Sequence, residues 1–300
     1  MTETLAFHTL DVFTDRPFAG NPLAVVLGAD GLSTAQMLIL AREFNLSETI
    51  FVQRPQDPAH TARVRIFFPT DEIPFAGHPT IGCAIHLACA DEGGDFDKVI
   101  TLEEEAGLVP VTVRRRGASV TAELTAPVLP YAAGQVPETG LLAQALGLTE
   151  AEIGPDRPGC QAGGPRFLYL PVQGLDALAR ARPQEPAWSA ACAKAGVDSI
   201  YLYVRTDPQA FRCRMFSPTA GIPEDPATGS AAALFAAQLL ANGHLAPGTT
   251  RLALTQGVEM GRRSEIGLTV ELAEGALTAV RIAGSAVPLS QGRIRRPEPG

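Results

Sequence analysis

Arg65-Ile66-Phe67-Phe68-Pro69-Thr70-Asp71-Glu72-Ile73-Pro74, running on to Gly77-His78-Pro79-Thr80-Ile81-Gly82-Cys83-Ala84, is nearly restated later in the chain. The second version reads Arg214-Met215-Phe216-Ser217-Pro218-Thr219-Ala220-Gly221-Ile222-Pro223, then Glu224-Asp225-Pro226-Ala227-Thr228-Gly229-Ser230-Ala231. Arg, Phe, Pro, Thr, Ile and Pro recur at an offset of 149 (214 − 65), and after a slip Pro, Gly and Ala recur at 147 (226 − 79). A third match, Glu48-Thr49-Ile50 with Asp198-Ser199-Ile200, lies at 150 (198 − 48). In a chain of 300 residues these offsets are half the length. A self-match at one period marks a repeated structural unit, so the chain reads as a duplicated fold.

Local patterns fill in each half. Ser33 with Gln36 forms a capping box, and Met37, Leu40, Ala41 and Phe44 follow at helical spacing. Asn45 is a suitable left-handed stop, which places Glu48 on the turn into a strand at 49–52. Further strands are expected at 61–68, 98–103, 108–114 and 118–125, with a buried helix over 81–90 that has Pro79 in its first turn. Pro127-Val128-Leu129-Pro130 is the expected boundary, giving a first domain of 1–127 to which 286–300 returns and a second of 128–285. The second half predicts helices at 141–147, 188–195 and 228–240 and strands at 199–204, 211–216, 251–255, 265–272 and 276–284. Each half is several strands with one helix that is apolar all round, which marks it as enclosed.

Composition excludes several classes. Charged residues make up 19% and the net charge is −8, so the basic face that nucleic acid requires is missing. Five cysteines, Cys83, Cys89, Cys160, Cys192 and Cys213, are odd in number and include no C-x-x-C pair. A reduced, cytoplasmic protein without a disulfide framework or zinc knuckle is the expectation. The first residues lack a basic segment followed by an apolar one, and no apolar run is long enough to span a bilayer. No dinucleotide fingerprint, P-loop or nucleophile elbow occurs, and the five histidines show no metal-ligand spacing.

Both Gly/Pro loops lead into the start of a buried helix, where N–H groups and the positive end of the helix dipole favour an anion. Two such starts facing one another would hold a small carboxylate between N–H groups near Gly77 and His78 on one side and near Gly229 and Ser230 on the other. The repeat sets His78 opposite Asp225 and Cys83 opposite Ser230. A histidine and an aspartate at one place can exchange a proton. Taken as residues alone, Asp225 fits an N-cap as well as a catalytic acid, and Cys83 fits core filling. Glu48 fits an exposed turn residue as well as a base.

Together these stretches resemble the PhzF family of phenazine-biosynthesis-like isomerases. The likeness rests on Asp11-Val12-Phe13 with Phe18-Ala19-Gly20-Asn21-Pro22, on Asn45-Leu46-Ser47-Glu48-Thr49, and on Gly77-His78-Pro79-Thr80. It continues in Glu224-Asp225-Pro226-Ala227-Thr228-Gly229-Ser230-Ala231 and in Gln256-Gly257 with Gly261-Arg262 and Ser264. The resemblance implies a diaminopimelate epimerase-like α/β (α+β) fold of two pseudo-symmetric domains, each a curled mixed sheet around a central helix, with the site between them. It implies a cofactor-free enzyme, often a homodimer, that moves a proton on a small carboxylate with Glu48 as the acid/base and His78 and Asp225 completing the catalytic set. Asn21, Gly77, Gly229 and Ser230 are then the expected substrate contacts. An amino- or hydroxy-acid racemase and a non-catalytic metabolite-binding protein are the alternatives. Related epimerases and proline racemases carry a cysteine pair where His78 and Asp225 stand, so a two-thiol mechanism is not expected.

Overall fold

The computed structural model describes residues 3–90 and 93–298 and divides into two compact units, residues 1–127 with 283–300 and residues 128–282. The first unit contains β1 (Thr4–Val12), β2 (Asn21–Leu27), α1 (Thr34–Phe44), β3 (Glu48–Gln53), β4 (Ala62–Phe67), β5 (Glu72–Ile73), α2 (Gly77–Cys89), β6 (Phe96–Glu104), β7 (Gly107–Arg116) and β8 (Ser119–Thr125). β1 and β2 are antiparallel, β2 is parallel to β3 with Leu23 opposite Glu48, and β3 is antiparallel to β4. β4 then runs parallel to β6 with Arg63 opposite Glu103, and β6, β7 and β8 form an antiparallel meander. The last strand of the chain lies against β1 with Ala6 opposite Arg293, and β8 pairs back to that strand. The sheet is therefore closed around α2, which packs on β1, β2, β3, β6, β7 and β8.

Enclosure explains the composition of α2. Ile81, Cys83, Ala84 and Ala88 are buried, as an all-apolar helix inside a barrel requires. A Cβ on Gly82 would sit 2.6 Å from Leu23 Cδ2 and 2.7 Å from Val12 Cγ2, so glycine is what lets the helix approach β1 and β2. α1 lies outside the barrel and buries only Gln36, Met37, Leu40 and Ala41. Its capping box forms as its sequence predicts: Gln36 N donates to Ser33 Oγ at 3.3 Å and Ser33 N to Gln36 Oε1 at 3.0 Å. Asn45 closes the helix at φ 50°, in the left-handed region.

The second unit repeats the plan with β9 (Tyr131–Ala132), α3 (Thr139–Ala145), β10 (Gly159–Ala162), β11 (Arg166–Pro171), α4 (Leu175–Arg180), α5 (Ala187–Ala195), β12 (Ile200–Asp207), β13 (Ala210–Ser217), β14 (Ile222–Asp225), α6 (Gly229–Ala241), β15 (Gly248–Gln256), β16 (Ser264–Ala273) and the start of β17 (Ala276–Arg295). β10 and β11 are antiparallel, β11 and β12 parallel, β12 and β13 antiparallel, β13 and β15 parallel, and β15 and β16 antiparallel. α6 packs on β9, β10, β11 and β16. Around its Phe235 gather Tyr169, Tyr201, Tyr203 and Phe211, with ring centroids 4.7–6.0 Å away. α3, α4 and α5 cover the outer face, where Trp188 is fully buried with Leu142, Leu178 and Phe216.

The repeated arginines do the same work in both units. Arg65 on β4 grips Glu72 on β5, with Nε 2.6 Å from Oε1, and Arg214 on β13 grips Glu224 on β14 at 2.8 Å. The glutamates are equivalent at an offset of 152 (224 − 72), three more than the arginines, and strand pairing agrees, with Ile66 opposite Ile73 and Met215 opposite Asp225. Each ion pair pins the short strand that delivers the chain to the central helix. The helix starts correct the repeat register. α2 begins at Gly77, four residues before the expected start, so His78 is the second residue of α2 and Ser230 the second of α6. Helix to helix the offset is 152 (229 − 77), and the strand after each helix keeps it: Arg63 and Arg212, 149 apart, face Glu103 and Thr255, 152 apart. His78 thus matches Ser230, and Asp225 lies before the helix. Three residues added between strand and helix caused the slip, and the Pro79/Pro226 match has no structural counterpart.

Candidate active site

In the first unit the turn after α1 delivers Glu48 as the opening residue of β3, between β2 and β4. Glu48 is only 8% exposed, which overturns its reading as an exposed turn residue. His78, 3% exposed, enters from the first turn of α2 and sets Nε2 3.5 Å from Glu48 Oε2. Asn21, buried at the start of β2, places Nδ2 3.3 Å from His78 Nδ1. Desolvation lowers the His78 pKa to about 3, with the Pro22 carbonyl pulling the other way. The imidazole is therefore neutral at physiological pH, and its approach to Glu48 is that of a polar neighbour, not an ion pair. A neutral ring has one N–H and one lone pair, so it can give or take a proton. Gly77 opens the helix, and the N-cap residue Ala76 provides no side-chain cap.

The second unit holds Asp225, 6% exposed, at the end of β14 opposite Met215. Thr228 donates from Oγ1 to Asp225 Oδ2 at 2.6 Å, and Thr228 is the N-cap of α6. The N-cap reading of Asp225 is overturned: the aspartate stands four residues ahead of Gly229 and accepts a hydroxyl hydrogen. Gln256, fully buried on β15, clasps the turn. Its Nε2 reaches Asp225 O at 2.8 Å and Thr228 Oγ1 at 3.0 Å, and its Oε1 accepts from Thr228 N at 3.3 Å. Gly229 and Ser230 form the first turn of α6, with Ser230 partly exposed.

Sequence reasoning named Gln256 and Thr228 only as parts of motifs. Their clasp joins residues 28 apart through the β13/β15 pairing, which no local pattern reveals. The cysteines are free and serve the core: burial pushes the Cys213 thiol up to about 12, and Cys83 likewise rises. Among the described residues no group of His, Cys, Asp or Glu is arranged to hold a metal ion, and no helix is long and apolar enough to cross a membrane.

Residues 10–292 match the PhzC-PhzF family, described as phenazine biosynthesis-like protein. This chain belongs to that family. Among PhzC-PhzF relatives, an uncharacterised isomerase of Mesorhizobium japonicum is 40% identical, covering 97% of this chain and 99% of its own. The trans-2,3-dihydro-3-hydroxyanthranilate isomerase of Pseudomonas aeruginosa is 35% identical over 96% of this chain and 98% of its own. A Bacillus anthracis PhzF-family crystal structure superposes with a TM-score of 0.86 at 24% identity, over 97% of this chain and 99% of that one, which shows the shared fold. The fold class expected from the sequence, two like α/β units each wrapping a mixed sheet round a central helix, is the PhzF fold, and the named relatives place the chain in an isomerase family.

Proposed function

We propose that this PhzC-PhzF chain is an isomerase that transfers a proton between two carbons of a small unsaturated carboxylate, with Glu48 as the base. The observation carrying this reading is the buried Glu48 carboxylate 3.5 Å from a neutral imidazole. Abstraction beside a conjugated system leaves an electron pair that the ring delocalises, and the same proton, now on Glu48, returns to another carbon. His78 relays or steadies that proton. The N–H groups at Gly77, beside Glu48 and His78, receive the substrate carboxylate, and in the second unit Asp225, held by Thr228 and Gln256, presents a carboxylate to a polar group of a ligand. Exclusion of water by the bound substrate strengthens every one of these contacts. A thiol base is disfavoured by the raised Cys83 and Cys213 pKa values.

The first substrate to test is the one in the name of the P. aeruginosa relative, a partly saturated ring acid, alongside other small unsaturated carboxylates. Turnover in heavy water, followed by proton NMR, should show the double bond migrating with partial deuterium entry at the receiving carbon. A protein that binds such acids without any exchange or isomerisation would be a binding protein and would sink the proposal. Asp225→Asn removes a charge-assisted bond worth about 1.5–3 kcal/mol. Its kcat/KM should fall about ten- to hundred-fold while the thermal midpoint stays near that of the parent, because the amide still accepts from Thr228.

A further inference from the structure

Glu104, the last residue of β6, takes no part in the reaction proposed above, yet its side chain is buried beside the start of α2. Thr80 Oγ1 lies 2.7 Å from two oxygens, Ala76 O and Glu104 Oε1. A hydroxyl has one hydrogen and can donate to only one of them. If Thr80 gives its hydrogen to the Ala76 carbonyl, the short contact to Glu104 needs a hydrogen from the carboxyl group. Among the described residues nothing hydrogen-bonds Glu104 Oε2, so an ionised carboxylate there would be left half satisfied in the interior.

The repeat supplies an independent argument. β4 and β6 pair in the register of β13 and β15, and at the offset of 152 the counterpart of Glu104 is Gln256 (104 + 152). Gln256 is a neutral donor whose Nε2–H reaches Thr228 Oγ1, while Thr228 gives its own hydrogen to Asp225. In the first unit Ala76 stands in the place of Thr228 (228 − 152), and the hydroxyl beside Glu104 comes from Thr80 one turn further on; the chain from Glu104 to Thr80 to Ala76 O works only if Glu104, like Gln256, supplies a hydrogen.

We propose that Glu104 is a positioning residue that works as a protonated carboxylic acid, donating to Thr80 so that the turn into α2, and with it Gly77 and His78, is held in place. Burial raises its pKa to about 8, although the Thr80 hydroxyl lowers it somewhat. Its neighbour Glu103 shows the contrast: N–H groups of Asp57 and Gln56, with His60, bring that carboxyl down to about 2. The other charged groups nearby are committed or distant from a bond. Arg65 is held by Glu72, His60 by Glu103, and Cys83 on α2 is a neutral thiol, while Arg63 and Glu105 line the same recess without a hydrogen bond to Glu104 among those resolved. Ionisation above about pH 8 would leave Thr80 with two acceptors and one hydrogen, loosening the turn.

The linkage has a definite sign. With a folded value near 8 and an ordinary value of 4.5, the stability this acid contributes is fully present below about pH 4.5 and is lost as pH rises through 8. The test uses the full chain labelled with 13C at glutamate carboxyls. One carboxyl resonance, absent from Glu104→Gln, should sit at the protonated position at about pH 7 and titrate near 8. The Gly77 and His78 amide shifts should follow the same midpoint in the parent and be flat in Glu104→Gln. In Thr80→Val the carboxyl should still titrate while those amides no longer track it. Between about pH 6 and pH 9 the parent should lose several degrees of thermal midpoint that Glu104→Gln keeps. A Glu104 resonance already ionised by about pH 6, or Gly77 and His78 shifts indifferent to its titration, would overturn the proposal. The catalytic consequence rests on the role given to His78, but none of these readouts needs turnover, so failure of the proposed reaction is told apart from failure of this one.

Discussion

Glu48→Gln is expected to lower kcat by about 10²–10⁴-fold, the usual contribution of a positioned acid/base, while substrate binding persists. Glutamine keeps the shape and an oxygen facing His78 but cannot accept a proton from carbon. The acid is buried at the head of β3, and the ring beside it stays neutral across the working range because its pKa lies near 3. Steady-state turnover with a ligand-binding titration measures both effects, and unimpaired turnover would remove Glu48 as the base. His78 adds a pH dependence of stability of the opposite sign to that of Glu104. Its folded value is depressed from 6.5, so its contribution is present above about pH 6.5 and is lost as pH falls towards 3, where the unfolded chain takes up the proton.

Arg214→Met is expected to cost about 3–5 kcal/mol, the range for breaking a buried ion pair from one side. The guanidinium is fully buried and makes a two-pronged contact with Glu224, Nε to Oε1 and Nη2 to Oε2, both at 2.8 Å. Nη1 also serves the carbonyls of Leu178 at 2.7 Å and Ala181 at 2.9 Å at the end of α4, and the group lies 4.6 Å over the Phe216 ring. Methionine fills the volume but leaves a carboxylate and two carbonyls without donors. Trp188, the only tryptophan, packs in the same cluster as Leu178 and Phe216, so its fluorescence reports unfolding of the second unit in urea. A midpoint close to that of the parent would show that Glu224 and the carbonyls find other partners. Arg214→Lys should lie between the two, because an ammonium restores the charge without the planar fork.

Much of the architecture was legible because it is written in short-range patterns. The Ser33/Gln36 box and the Asn45 stop involve neighbours on one turn of chain, and both formed as read. The strands at 98–103, 108–114 and 118–125 carried alternation and Gly turns, and their observed limits differ by no more than two residues at either end. The site was less legible. Taken by its local sequence Glu48 fitted an exposed turn residue as well as a base, because helix-to-strand turns are usually solvated, and pairing on both sides of β3 buried it. Asp225 fitted an N-cap as well as a catalytic acid because it precedes a helix, but β14 extends through it and Thr228 takes the capping position. Glu104 carries no local signal of burial in its run of three glutamates, and the pairing of its strand in the barrel makes it interior.

By itself the sequence determined that this chain is doubled, that each half encloses one apolar helix, and that acid, histidine and glycine cluster at the two helix starts, because periodicity, caps and repeats depend on residues close together in the chain. Tertiary structure alone decided that His78 answers to Ser230, that Gln256 and Glu104 occupy one equivalent place, and that of two adjacent glutamates Glu103 meets the N–H groups of Gln56 and Asp57 while Glu104 is buried against Thr80. The physical reason is that strand register and desolvation are set by pairings between segments tens of residues apart, and a loop longer by three residues shifts the chain alignment without moving the barrel.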